Sequence, residues 1–334
     1  MKEIFSIKKK RFLVTGGTGF IGSGLVKGLL LAGAQVRTLD NDSRGRHRKL
    51  GAALDQVEIV TGDVRDSAVV QKAVSGMDCV CHLAYINGTE FFYKKPDTIL
   101  EVAVKGMMNV LDACLSEGVK HLILASSSEV YQTPPQVPTD ERVPLIVPDV
   151  LNPRYSYGGG KIISELLLIN YGKKYFDRAI IFRPHNIYGP DMGWEHVIPH
   201  FAMRMKENFK THSGVVEFPI QGTGDETRAF MYIDDFVKAL LTVIEKGRHL
   251  NIYNIGASEE ISIRELVFMT ARCFGRQIHL IPGELQPGST LRRCPDISRL
   301  SRLGFKPQVD LTSGLAKTVE WYKTHNPRSP RNTE

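Results

Sequence analysis

Val14-Thr15-Gly16-Gly17-Thr18-Gly19-Phe20-Ile21-Gly22 decides how this chain reads. Residues 11–14 before it have the apolar character of a short buried strand, and residues 21–31 present the apolar face of a helix. Gly16, Gly19 and Gly22 fall in the turn between them. Glycines there permit a tight turn, let the backbone approach a pyrophosphate, and let helix pack on strand. The helix N-terminus turns unpaired N–H groups toward the phosphates. A second strand, residues 35–39, ends in Asp40, about 20 residues past the glycines, where a carboxylate accepts both ribose hydroxyls of an adenosine. A 2′-phosphate would be repelled, so the pattern favours NAD over NADP, with Arg44, Arg46 and Arg48 keeping NADP open.

The rest of the first half alternates in the same way. Strands are expected at 57–60, 78–83, 120–125 and 179–183, and helices at 96–117 and 157–175. Short links between alternating elements define an α/β fold, a doubly wound parallel sheet of the Rossmann type. Ligands then gather along the edge formed by the strand ends. From about Pro184 the pattern loosens, which predicts a smaller, interleaved C-terminal substrate domain. The expected division gives residues 1–183 to the nucleotide-binding domain, with 230–256 returning to it. Residues 184–229 and 257–325 form the substrate domain, and 326–334 a polar, disordered tail. A helix at 234–245, a strand at 250–255 and a helical piece at 261–274 complete the reading.

The 334 residues suffice for a large core, and 42% apolar content is ordinary for a globular protein. No apolar run reaches membrane-spanning length, and residues 1–11 lack the apolar stretch of a signal peptide. Five cysteines show no metal-ligand spacing, so no metal is expected; Cys79 and Cys81 alternate as core residues of a strand. A cytoplasmic location with reduced thiols follows. The net charge of +7 collects at 8–11, 44–49 and Arg292-Arg293. No nucleic-acid module accompanies it, and diphosphate ligands explain the excess as well.

Tyr157 and Lys161 are four apart on a helix and share a face. A free tyrosine titrates near pH ~10 and is a poor base at neutrality. An adjacent ammonium and the positive ring of oxidised nicotinamide would stabilise its phenolate. Ser127, where the strand at 120–125 ends in Ser126-Ser127-Ser128-Glu129, is placed to bond the same substrate oxygen, whereas Ser126 simply ends the strand.

Thr15-Gly-x-x-Gly-x-x-Gly22, Asp40, Asp63-Val64, His82-Leu83-Ala84, Ser126-Ser127-x-x-Val130-Tyr131, Tyr157-x-x-x-Lys161, Arg183-Pro184-x-Asn186-x-Tyr188 and Arg228-x-Phe230-x-Tyr232 run in order. The chain resembles the extended short-chain dehydrogenase/reductase superfamily, in particular its nucleotide-sugar epimerases, dehydratases and decarboxylases, over residues 10–325. The resemblance implies NAD held by Gly16, Thr18, Gly19, Phe20, Ile21, Gly22, Asp40, Asn41, Asp63, Val64, Leu83 and Ala84 together with Tyr157 and Lys161. It implies a nucleoside diphosphate sugar held by Ser128, Asn186, Val197, Arg228 and Arg293, oxidised transiently at C4. It also implies a homodimer through the helices at 97–117 and 157–175. Epimerisation is the leading expectation. Glu129 keeps open a 4,6-dehydratase or a UDP-glucuronate decarboxylase, since both often carry Glu there. A net dehydrogenase and a non-catalytic NAD-binding sensor stay open as further readings, the latter opposed by an intact Ser127, Tyr157 and Lys161. The chain departs from the family pattern at Tyr85, Ala103, Gln132, Gly160 and His185. His185 reads equally as a sugar contact or a satisfied buried histidine, and Glu90 as solvated rather than catalytic.

Overall fold

The computed structural model describes residues 5–285 and 290–325; the expected tail at 326–334 lies outside them. The first half runs β1 (Arg11–Thr15), α1 (Phe20–Leu31), β2 (Gln35–Asp40), β3 (Val57–Thr61), α2 (Ser67–Val74) and β4 (Cys79–His82). It continues through α3 (Thr89–Lys94), α4 (Pro96–Glu101), α5 (Met107–Ser116), β5 (His121–Ala125), α6 (Ser156–Tyr175) and β6 (Arg178–Pro184). Then follow β7 (Ile187–Tyr188), α7 (Val197–Thr211), β8 (Val216–Pro219), β9 (Thr227–Ala229), β10 (Met231–Tyr232), α8 (Ile233–Lys246) and β11 (Asn251–Ile255). The chain closes with β12 (Glu260–Ser262), α9 (Ile263–Cys273), β13 (Ile278–Ile281), β14 (Arg292–Arg293), α10 (Ser298–Ser301) and α11 (Leu311–Thr324).

Seven strands form one parallel sheet in the order β3-β2-β1-β4-β5-β6-β11. Alternation along β1 explains why helices cover both faces. Phe12 and Val14 pack with Leu25 and Leu29 of α1 and with Phe236 and Leu240 of α8. Leu13 points the other way, into a core with Val70, Val110, Leu111 and Leu168 from α2, α5 and α6. A third apolar cluster joins Phe201 and Met205 of α7, Leu266 of α9, and Leu315, Val319 and Tyr322 of α11.

The long helix expected at 96–117 is interrupted. A π-helical turn, Val102–Gly106, separates α4 from α5. Ser164 of α6 donates its hydroxyl to the Ala103 carbonyl at 3.0 Å. Gly106 in the same turn passes so close to Val64 that a Cβ would lie 2.8 Å from its methyl. The helical piece expected at 261–274 instead begins as β12, and Ser262 caps α9 by accepting the Glu265 N–H at 3.1 Å.

β6 carries a buried charge next to the site. Arg183 makes two bonds to Glu165 of α6, at 2.8 and 2.6 Å, and a third to the Tyr131 hydroxyl at 2.7 Å. Removing one member strands the other charge in a dry core. Glu165→Ala is therefore expected to cost on the order of 3–5 kcal/mol in urea unfolding; a loss below about 1 kcal/mol would show that the pair behaves like a solvated one.

Candidate active site

The sheet order reverses between β1 and β4, so a crevice opens beyond their C-terminal ends. Thr15 ends β1 and His82 ends β4. The Thr15 hydroxyl accepts the N–H groups of Leu83 and Ala84, both at 3.1 Å, and lies 2.8 Å from His82 Nδ1. With its lone pairs taken, the hydroxyl donates to the imidazole. That histidine stays neutral, pushed down to about 3 by burial and then by Lys161. The pinned 83–84 backbone leaves no room at Gly16 (φ +72°), where a Cβ would sit 2.8 Å from the Ala84 nitrogen. At Gly22 a Cβ would lie 2.0 Å from the Gly16 oxygen, at Gly19 only 3.2 Å. No side chain caps α1 at Gly19, so its first N–H groups, at Phe20 and Ile21, are left for a phosphate.

Asp40 accepts N–H bonds from Thr18 and Asp42, each at 3.0 Å, one on each oxygen, and both oxygens keep a lone pair for a ribose hydroxyl. Asn41 donates to Asp63 at 2.9 Å, and Arg65 grips the same carboxylate, holding it down to about 2. The Val64 carbonyl accepts from Asn109 at 2.9 Å. The three arginines that kept NADP open are committed to protein partners. Arg44 pairs with Glu195, Arg46 donates to the carbonyls of Asp42 and Gly45, and Arg48 pairs with Asp191. The glycine cradle, the uncapped helix and Asp40 fit a dinucleotide without a 2′-phosphate.

Tyr157 and Lys161 are both buried on α6. Ser127 follows β5, accepts the Glu129 N–H at 3.2 Å, and faces the Tyr157 phenol, whose ionised form it favours. Tyr157 lies between Tyr85 and Phe92, with ring centroids 5.0 Å away in each case. Burial pushes its phenol up to about 12; Ser127 opposes this, Glu129 adds to it, and Arg44 opposes it. Lys161 is pulled down to about 7 by burial, with Glu165 supporting the charge. Its ammonium donates to the Ala125 carbonyl at 2.6 Å. The lysine alone thus does not bring the tyrosine down, because burial dominates both groups.

Glu129 meets Arg293 at 2.5 Å. Burial pushes its carboxyl up, but Arg293, then Arg154 and Arg228, outweigh this and hold it below the usual range. Arg228 donates to the carbonyls of Thr227 and Thr290, at 2.7 and 2.6 Å. Burial and then Arg293 pull it down to about 10. Three guanidinium groups around one carboxylate leave surplus positive charge, the condition a diphosphate needs. Ser128 is buried beside them in a short 3-10 turn. Asn186, just after β6, has φ +43° and donates to the Ala229 carbonyl at 3.0 Å. Val197 begins α7 and is not brought against these groups by any hydrogen bond or ion pair among the described residues. His185 is buried, with Nε2 3.1 Å from the Asn254 side-chain oxygen and Nδ1 without a hydrogen-bond partner among the described residues, and burial pushes it down to about 3. Glu90 pairs with Lys94 at the surface.

Sequence reasoning missed Arg154, which lies in a short turn at 153–155 without motif or periodicity, and read Arg44 only as a possible 2′-phosphate contact. Gln132 is legible in hindsight. It takes the left-handed conformation (φ +51°) that suits the glycine usual in the family, and donates to the Glu129 carbonyl at 2.6 Å.

Such a crevice, with a glycine cradle and a buried Ser-Tyr-Lys set, defines a nucleotide-dependent redox enzyme of the short-chain dehydrogenase/reductase type. Residues 12–256 match the NAD dependent epimerase/dehydratase family, and the chain belongs to it. A UDP-N-acetyl-alpha-D-glucosaminuronate decarboxylase of Bacillus cytotoxicus is 30% identical over 94% of this chain and 98% of its own. A dTDP-glucose 4,6-dehydratase of Streptomyces venezuelae, solved with NAD bound, superposes with a TM-score of 0.82 at 30% identity, covering 94% of this chain and 97% of that one. A UDP-glucose 4-epimerase of Thermotoga maritima, solved with UDP-glucose, gives 0.82 at 26% identity, covering 94% and 99%. The three relatives run three reactions, so membership fixes an NAD-dependent enzyme and leaves the product open. Among the described residues no helix is long and apolar enough to cross a membrane.

The cradle makes a graded prediction. Gly22→Ala should lower NAD affinity, measured by calorimetry, at least ~100-fold or prevent folding, because backbone cannot yield; Gly19→Ala should cost under about 10-fold. Equal effects at the two positions would contradict the packing argument.

Proposed function

We propose that the protein acts on a nucleoside diphosphate sugar through transient oxidation at C4, and that epimerisation is its reaction. The observation that carries this is the burial of Ser127, Tyr157 and Lys161 together beside the cradle. NAD, when bound, supplies a reversible hydride acceptor and a positive ring beside the phenol. Tyr157 takes the proton of the C4 hydroxyl as the hydride leaves C4, and Ser127 bonds the same oxygen. Lys161 holds the nicotinamide ribose and stabilises the phenolate. The ketone, turned over, takes the hydride back on its other face while Tyr157 returns the proton. Residues 184–229 and 257–325 would form the substrate half, with Asn186, Arg228 and Arg293 on the diphosphate and Val197 near the base.

Glu129 favours a second reading. A carboxylate held ionised by Arg293 is available to remove a proton at C5, next to the new ketone, which would make the enzyme a dehydratase or decarboxylase. Incubating the protein and NAD with UDP-, GDP-, CDP- and dTDP-sugars, uronic acids included, separates the two. Unchanged mass with a changed NMR spectrum means epimerisation, whereas loss of water or carbon dioxide means the second reading. Tyr157→Phe should reduce turnover ~100- to 10,000-fold with NAD binding retained. Glu129→Gln should cost less than about 10-fold in an epimerase and at least ~100-fold in a lyase. Full activity of Tyr157→Phe would remove the enzymatic proposal altogether.

A homodimer through α4–α5 and α6 is part of the same proposal. Leu100, Ile163 and Leu166 stay exposed on these helices, Leu166 to 55%. Sedimentation should find a dimer that Leu166→Asp splits; a wild-type monomer at micromolar concentration would refute it.

A further inference from the structure

Three of the departures from the family pattern, Tyr85, Ala103 and Gly160, come from separate segments and meet beside Lys161. Tyr85 follows β4, Ala103 lies in the π turn, and Gly160 precedes the lysine on α6. The Tyr85 ring centroid is 3.7 Å from Lys161 Nζ, and its hydroxyl donates to the Tyr157 carbonyl at 3.3 Å. A Cβ on Gly160 would lie 2.4 Å from the Tyr85 hydroxyl and 2.7 Å from the Ala103 methyl. The small hydroxyl residue usual at 160 would therefore strike the phenol, and the asparagine usual at 103 would grow into the same space. The three residues form one packing solution: two side chains are shortened so that one ring can enter.

The ring lies where the lysine needs help. Of the three ammonium N–H groups, one goes to the Ala125 carbonyl and one faces the Tyr85 ring, which leaves one for a ligand. The titratable groups around Lys161 are His82 at the end of β4, Tyr85 after it, and Tyr157 and Glu165 on its own helix. His82 is neutral, and Glu165 already holds Arg183 with both oxygens. An aromatic face is then the remaining source of negative potential at contact distance.

We propose that Tyr85 is a positioning residue for the cofactor-binding lysine: its ring holds Lys161 charged and aims the remaining N–H, in a space opened by Gly160 and Ala103. This rests on the reading of Lys161 as a ligand of the nicotinamide ribose.

The test uses NAD itself, titrated calorimetrically from pH 6 to 10 with thermal midpoints in parallel. Tyr85→Phe keeps the ring and should bind NAD within about 2-fold of wild type at every pH. Tyr85→Leu removes the cation's partner, so the ammonium is lost at lower pH. The alkaline limb of NAD binding should shift down by on the order of 1 pH unit. Tyr85→Met serves the same comparison if Tyr85→Leu does not fold. Gly160→Ser should lower the thermal midpoint strongly in wild type and less in Tyr85→Leu, where the Ala103 contact alone remains, a non-additive pair. The proposal is overturned if the alkaline limb stays in place without the ring, or if Gly160→Ser costs the same in both backgrounds. Lys161→Ala separates the layers. If it leaves NAD binding unchanged, the reading of the lysine falls and the proposal with it; if it weakens NAD while Tyr85→Leu behaves as wild type, the role of Tyr85 alone falls.

Discussion

An ammonium group must stay charged where the fold leaves almost no water to solvate it. Lys161 is buried on α6, and burial, only partly offset by Glu165, draws it down to about 7. What opposes this is the Ala125 carbonyl at the end of β5, the Tyr85 ring after β4, and the negative charge of Glu165 one turn along the helix. Each belongs to a different strand–helix unit. The lysine thus joins β4, β5 and α6 at the C-terminal edge of the sheet, and a shift in any of them alters that charge.

The same logic of close approach governs the cofactor side. Thr15 ties the end of β1 to the backbone after β4, and Gly16 tolerates that contact because it has no side chain. Asp40 and Asp63 are anchored in different ways. Asp40 uses backbone N–H groups and keeps its outer lone pairs, while Asp63 is neutralised by Arg65. Arg44 and Arg48 pair with carboxylates on the 191–195 segment, so this positive charge ties two parts of the chain together.

Local patterns carried much of this in the sequence. The strands of the first half, the glycine turn, Asp40 and the pair on α6 follow from periodicity and fixed spacing, and their ends differ from the structure by a residue or so. Other features have no local signal. The π turn at 102–106 is a consequence of packing against α6 and Val64, so a helix-period reading passes straight through it. The helices α7 and α11 share a core formed from segments more than a hundred residues apart. Tyr85, Ala103 and Gly160 were each visible as departures, but only the fold shows that one explains the others. The Glu129–Arg293 pair spans 164 positions, and neither residue alone announces it.

In the proposed reaction, hydride taken from the sugar returns to the same molecule. The direct measurement is mass spectrometry of the product formed from a nucleotide sugar deuterated at C4, with free NAD present in the medium. Internal return predicts that deuterium stays in the sugar and that the free nucleotide remains unlabelled. Deuterium appearing in released reduced nucleotide, with an oxidised sugar left behind, would contradict the account and make the protein a net dehydrogenase.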